Sequence, residues 1–347
     1  MAQSIIGDNS SSSTNNRSSC TDTNPAYYVR FHTEVYGIGF MSVVGLALNV
    51  LTVVVLGRLR RAHRSVYALW LLAMVDAGFL VTVLLSGPVL YVTFRIVYGR
   101  YVFNRNPYQI FPGAFRVLVV PKTTLVAVRN WMTVLVQLER LFIIVYPLKA
   151  PIVLTSRRLM LSSVWMTVIF FVSHICLWSL AFEINPFDDY CITPAFSLMK
   201  SSRKVLLYFP IIQLRVINTL VPVFLTLLAD ASMLIWLFAN RRHRLSLLNP
   251  SATATPGGSA KGNSQTKATV TVIYVCTAFI ILEFPNVFIE IVRYATKISV
   301  LWPIFYTIGG LTTVLNSCIN FFIYAIVNKN FRQKLPHAET DRRGKDS

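Results

Sequence analysis

The residues able to do chemistry in this chain are polar groups set singly inside long apolar runs. Asn49 lies in Gly-Leu-Ala-Leu-Asn-Val and Asp76 closes Leu-Ala-Met-Val-Asp. Arg129, Glu139 and Arg140 fall in a third run, Asp230 in a fifth, Glu283 in a sixth, and Asn316 and Asn320 in a seventh. They form no His-Glu-x-x-His, Gly-x-Ser-x-Gly or Walker pattern, so no catalytic residue is assigned and an enzyme is not expected. The five histidines are scattered, and His174 in its apolar run reads as a packed residue. The five cysteines (Cys20, Cys176, Cys191, Cys276, Cys318) lack Cys-x-x-Cys spacing, so neither a metal nor a cofactor is expected. The chemistry left is electrostatic. Ionisable groups at membrane depth are costly, and where they occur they usually mark function.

The elements that must carry these groups are membrane spans. The composition is 54% hydrophobic and only 14% charged, with a mean hydropathy of +0.55; soluble domains carry about 25% charged residues. A spanning helix needs roughly 20 mostly apolar residues. The sequence supplies such runs at 36–57, 67–93, 117–144, 158–182, 206–239, 268–292 and 299–327. The reading is therefore an all-α membrane protein, a bundle of seven transmembrane helices.

The net charge of +19 is distributed between spans and does not form one soluble module, so nucleic acid is not an expected partner. Arg58, Arg60, Arg61 and Arg64 follow the first run, Lys149, Arg157 and Arg158 the third, Arg241, Arg242 and Arg244 the fifth, and Lys329, Arg332 and Lys334 the seventh. The positive-inside bias places these ends in the cytoplasm, so seven spans put the N-terminus outside. Arg95, Arg100, Arg105 and Arg116 make the first outer loop basic as well, against the simple rule. The polar segment 1–35 holds two glycosylation sequons, at Asn9 and Asn16. The stretch 245–266, inside a third cytoplasmic loop of about 241–267, is rich in Ser, Gly, Thr and Pro and reads as a flexible linker. No internal repeat is present, which argues against a transporter or channel.

One landmark per span falls in an order that resembles the rhodopsin-like G-protein-coupled receptors, over residues 36–335. Glu139-Arg140-Leu141 is similar to the family's Asp-Arg-Tyr triplet, with Pro147-Leu148 at the family's spacing. Asn320 to Tyr324 resembles Asn-Pro-x-x-Tyr with Phe321 in place of proline. Asn49, Asp76, Trp165, Pro222, Phe279 and Pro285 are further landmarks, and Phe331 resembles the aromatic opening a short membrane-parallel eighth helix within 328–347. The C-terminal Asn-Lys-Asn-Phe-Arg, with the residues before it, looks most like invertebrate neuropeptide receptors of the FMRFamide type.

The resemblance implies a plasma-membrane receptor that passes a signal from an extracellular peptide ligand to a heterotrimeric G protein, with membrane lipid as its solvent. A divergent orphan or chemosensory receptor is the alternative. A retinal photoreceptor is not expected, since the last span contains no lysine for a Schiff base. The ligand would meet Lys122, Gln213, Arg215, Glu283, Glu290 and Tyr306 in the outer halves of the third, fifth, sixth and seventh helices. Asp188 and Asp189 would lie in the loop above. Lys122 or Arg215 could instead neutralise Glu283 internally. Arg140, alone a possible snorkelling residue, would pair with Glu139 at rest. Asn49, Asp76, Asn316 and Asn320 would cluster, either as a switch or as interhelical glue.

Several positions depart from the family pattern. Phe115 stands where the family has the cysteine that bonds the second outer loop. Cys191 then has Cys20 as its remaining outer candidate, or both stay free thiols. Glu283 replaces a tryptophan, Arg129 a small hydroxyl residue and Asp230 a tyrosine. Arg129, eleven residues before Arg140, lies roughly 16 Å deeper and must have a partner. Asp76 is the expected one, with the guanidinium standing where relatives hold sodium; Glu283 is the other possibility.

Overall fold

The computed structural model describes residues 32–60, 66–98, 112–146, 148–180, 182–184, 196–198, 212–247, 259–295, 302–334. Seven long helices account for most of it. Helix α1 runs from a π-helical turn, Thr33–Ile38, into Gly39–Leu59. Helix α2 comprises Tyr67–Leu84, a π-helical turn at Leu85–Val89 around Pro88, and Leu90–Tyr98. Helices α3 (Pro112–Val145) and α4 (Ser156–Leu180) follow. Helix α5 joins π-helical Ile212–Leu220 to Val221–Leu247. Helices α6 (Ser259–Ala295) and α7 (Trp302–Val327) precede the short α8 (Lys329–Gln333).

Six of these helices are long and apolar enough to cross a membrane. Helix α3 is the exception because Arg116, Lys122, Arg129, Glu139 and Arg140 all lie within it. It is tolerated as a span because it is the central one: α2, α4, α5 and α6 all pack on it, while α7 closes the ring against α1 and α6. The outward faces stay apolar, as Val50, Trp165, Ile169, Phe224, Ile235 and Phe284 show. That is the arrangement a hydrocarbon solvent requires.

The connection after α4 contains a feature the all-α reading did not include. Strand β1 (Phe182–Ile184) pairs antiparallel with β2 (Phe196–Leu198), Phe182 opposite Leu198. Strands of three residues leave no alternation long enough to read from sequence.

Two apolar clusters fill the interior. One, toward the Arg140 end, gathers Leu56, Leu72, Met132, Val136, Val272, Val275, Tyr324 and Phe331. The other, toward the opposite end, gathers Ile38, Phe79, Leu80, Val83 and Val314. Along α2 the order is Leu72, Asp76, Phe79; along α7 it is Val314, Ser317, Asn320, Tyr324. Asp76, Ser317 and Asn320 therefore sit between two apolar plugs.

Helix α7 is unbroken through Phe321. A proline there would remove a backbone N–H and clash with the preceding turn. Phe321 keeps the helix regular and packs edge-on against Phe331 of α8, ring centroids 5.8 Å apart. The junction is capped twice. The Asn328 side chain accepts from the Phe331 N–H at 3.2 Å, and Arg332 donates back to the carbonyls of Ala325 and Ile326.

Candidate functional site

The site is a polar network centred on Arg129, a residue only 2% exposed. A guanidinium has five N–H donors in a fixed fork, and here all five are used. Nε donates to Asn130 Oδ1 at 3.3 Å, and Nη2 donates to the same oxygen at 3.1 Å and to Glu283 Oε1. Nη1 donates to the Thr313 carbonyl at 2.9 Å and to Ser317 Oγ at 3.1 Å. The Phe79 ring lies 5.1 Å from the guanidinium carbon and adds a cation–π contact.

Arg129 and Glu283 form a buried ion pair between α3 and α6. This corrects the expectation that Asp76 takes the guanidinium directly. The physical reason lies on α7. Asp76 Oδ1 accepts from Ser317 Oγ at 2.8 Å and Oδ2 accepts from Asn320 Nδ2 at 2.9 Å. The Ser317 hydroxyl thus stands between the two charges: it accepts from Arg129 and donates to Asp76. Asp76 remains within electrostatic reach of Arg129, but one hydroxyl removed.

The same contacts change the reading of Glu283. It is 2% exposed and belongs to the interior of the bundle; it is not part of an open ligand surface. Its Oε1 also accepts from Asn316 Nδ2 at 3.3 Å, and its Oε2 from Asn286 Nδ2 at 2.9 Å, an amide that also reaches Thr313 Oγ1. The cation that neutralises it is Arg129, where Lys122 or Arg215 had been considered; Lys122 is half-buried on α3. Asn49 joins from α1, its Nδ2 donating to the carbonyls of Gly45 and Ser317 at 2.9 and 2.8 Å. The predicted cluster of Asn49, Asp76, Asn316 and Asn320 is therefore one connected network with Arg129 and Glu283.

The network reaches α5 through a backbone defect. Pro222 has no N–H, so the carbonyl four residues before it, Asn218, has no α-helical donor. In the π-helical register just before, the carbonyl of Ile217 would look to the same missing N–H. Two neighbouring α3 side chains fill the gap: Asn130 Nδ2 donates to the Asn218 carbonyl at 2.9 Å and Trp131 Nε1 to the Ile217 carbonyl at 3.1 Å. His174 of α4 completes this side. Its Nδ1 lies 2.7 Å from the Phe170 carbonyl and must carry the proton there, which leaves Nε2 to accept from Asn218 Nδ2 at 3.1 Å.

A second, smaller network lies toward the Arg140 end. Gln137 of α3 donates to Asp230 Oδ1 of α5 and accepts from Cys276 Sγ of α6 at 2.9 Å. One turn on, Glu139 and Arg140 are both buried. Arg140 is within electrostatic reach of Glu139, Tyr324 and Cys276. Phe279 is buried on α6, and Pro285 lies within the same helix.

Gln213 and Arg215 fall in the π-helical start of α5, Glu290 in α6 and Tyr306 in α7. Pro147, Asp188, Asp189, Cys20, Cys191, Asn9 and Asn16 lie outside the described residues. Cys176, Cys276 and Cys318 are free thiols. Sequence reasoning did not single out Ser317, Asn130, Asn286, Thr313 or Gln137. Ser317 and Asn130 adjoin Asn316 and Arg129, and that adjacency was the signal available.

The arrangement agrees with the comparisons. Squid rhodopsin superposes with a TM-score of 0.66 over 92% of this chain and 86% of its own, at 14% identity. The chain has the rhodopsin fold. A Caenorhabditis elegans protein named as a candidate G-protein coupled receptor is 25% identical over 326 residues, covering 86% of this chain and 71% of that relative. No protein-family profile matches. The chain is thus a multi-pass membrane protein with the rhodopsin fold and a sequence relationship to that Caenorhabditis protein.

Proposed function

We propose that this chain is a G-protein-coupled receptor of the plasma membrane, with its N-terminus outside and its Arg140 end in the cytoplasm. It passes the binding of an extracellular ligand, an amidated neuropeptide, to a heterotrimeric G protein. The observation that carries the reading is the placement of Arg140. It is buried at the end of the central helix within reach of Glu139 on α3, Cys276 on α6 and Tyr324 on α7. A cation buried where α3, α6 and α7 meet is uncovered when one of them moves, and it can then meet a partner protein. The Caenorhabditis relative's name points to the same class.

The peptide assignment rests on charge. By the family resemblance, Lys122, Arg215 and Glu290 belong to the outer halves of their helices and Asp188 and Asp189 to the loop above; residues of both signs there suit a charged peptide better than a lipid. Glu283 is held by Arg129 in this structure, so Glu290 is the α6 carboxylate proposed to meet a peptide arginine first.

The test is nucleotide exchange on purified heterotrimers, using membranes from cells expressing the full chain and Arg140→Ala at matched surface number. Wild type should accelerate exchange and Arg140→Ala should not. Equal exchange by both would overturn the assignment of Arg140.

A further inference from the structure

The network holds one guanidinium and two carboxylates, so one acid always lacks a full counter-charge. In this structure Arg129 serves Glu283 directly and Asp76 only through Ser317. Its hydrogen bonds show which partner can leave. Only one of the five reaches α6; two go to Asn130 on its own helix and two to α7, at Thr313 and Ser317. If α6 withdraws, Arg129 keeps four bonds and stays beside Asp76, whose charge then balances it. Glu283 is the group left bare. It retains Asn286 from its own helix but no cation.

We infer that Arg129 is an exchangeable counter-ion: it pairs with Glu283 at rest and with Asp76 in the signalling state, and the activating ligand supplies a cationic group, an amine or guanidinium, that takes its place at Glu283. The position suits this. Glu283 lies in the half of α6 away from the Arg140 end, one turn from Asn286 and two residues before Pro285, where the backbone has already lost an N–H and bends easily. Glu283 is shut off at rest, so the ligand cation reaches it only as the Arg129 contact opens, and binding and opening are one event. A neutral ligand of the same shape would leave a bare carboxylate in the bundle and could not hold the open state. The inference rests on the receptor reading above for its signalling readout, and a second readout is independent of it.

Cys276 supplies that second readout. It is buried, its thiol hydrogen-bonded to Gln137 on α3, and withdrawal of α6 would uncover it. The experiment follows two quantities in intact membranes for the full chain: nucleotide exchange on added heterotrimers, and the alkylation rate of Cys276 by N-ethylmaleimide, read by peptide mass spectrometry. Glu283→Gln removes the resting partner and should raise both, without ligand, by roughly tenfold. Asp76→Asn removes the alternative partner and should lower both below wild type. The probes are the dipeptide Arg-Phe-amide and its neutral isostere citrulline-Phe-amide; only the first should raise alkylation in wild type, and neither in Glu283→Gln. If alkylation follows this pattern while no variant supports exchange, the receptor reading fails and the counter-ion exchange stands. If Glu283→Gln reaches the surface with wild-type alkylation, the exchange is overturned. If Glu283→Gln does not reach the surface, Asp76→Asn decides: alkylation at or above wild type refutes the proposal. Equal responses to the two dipeptides refute the cationic ligand.

Discussion

Removing Arg129 and removing Glu283 should have very different consequences, although the two residues form one ion pair. Arg129→Met deletes five hydrogen bonds and leaves two carboxylates, Glu283 and Asp76, linked only by amides and a hydroxyl. Breaking a buried pair from one side costs about 3–5 kcal/mol, because a lone charge remains; here two remain. Glu283→Gln leaves a balanced cluster. The guanidinium still faces Asp76 across Ser317, and the new amide oxygen can still accept. Its cost is the difference between a charged and a neutral hydrogen bond, about 1 kcal/mol. The double variant leaves Asp76 alone but doubly hydrogen-bonded to Ser317 and Asn320, so it should recover much of the Arg129→Met loss.

The assay is surface number per cell together with the half-inactivation temperature of the detergent-solubilised chain. Wild type and Glu283→Gln should lie close together, the double variant below them and Arg129→Met lowest. Equal damage from the two single changes would refute the charge count. So would a double variant whose loss equals the sum of the singles, since coupled partners cannot behave additively.

Two further outcomes are expected. A Cβ at Gly45 of α1 would overlap Cys318 Sγ on α7 and press on Leu80 of α2 at 3.2 Å; Gly45→Val should destabilise by about 1–3 kcal/mol, and Cys318→Gly in the same chain should restore part of it in the same inactivation assay. Non-reduced peptide mapping should recover Cys20 and Cys191 in one disulfide-linked fragment; two free thiols would end that pairing.

The seven helices were legible because each apolar run is long enough to span and the polar interruptions are too sparse to make a soluble surface. Even α3, the most polar, announced itself by Glu139-Arg140 and Pro147. The membership of the network was largely legible for the same reason: Asn49, Asp76, Arg129, Glu283, Asn316 and Asn320 are out of place in hydrocarbon. Its wiring was not. Asp76 and Glu283 are both within reach of Arg129, and which of them the guanidinium touches depends on the rotation of α6 and on one hydroxyl, Ser317. A serine in an apolar helix is too common to be noticed alone. Pro222 was noticed as a landmark. Its consequence, two vacated carbonyls taken by Asn130 and Trp131, appears only when α3 and α5 are side by side.

The two apolar clusters explain why such a network can be bistable without being loose. Phe79, Leu80 and Val83 close it on one side; Leu72, Met132 and Tyr324 close it on the other. A charge that leaves one partner must therefore find another inside the bundle. Beyond the Phe79 ring face these side chains offer it no hydrogen-bond acceptor, so positions of Arg129 away from both carboxylates are strongly disfavoured. The guanidinium can be with Glu283 or with Asp76, but not between solvent-like states. Fixing Asn130 to both Arg129 and the α5 carbonyl extends the same constraint to a third helix. A shift at the π-helical start of α5 must then pull on the hydrogen bonds that hold Arg129 in place. A helix with two proline-vacated carbonyls and a buried charge that needs a partner are thereby joined by one asparagine.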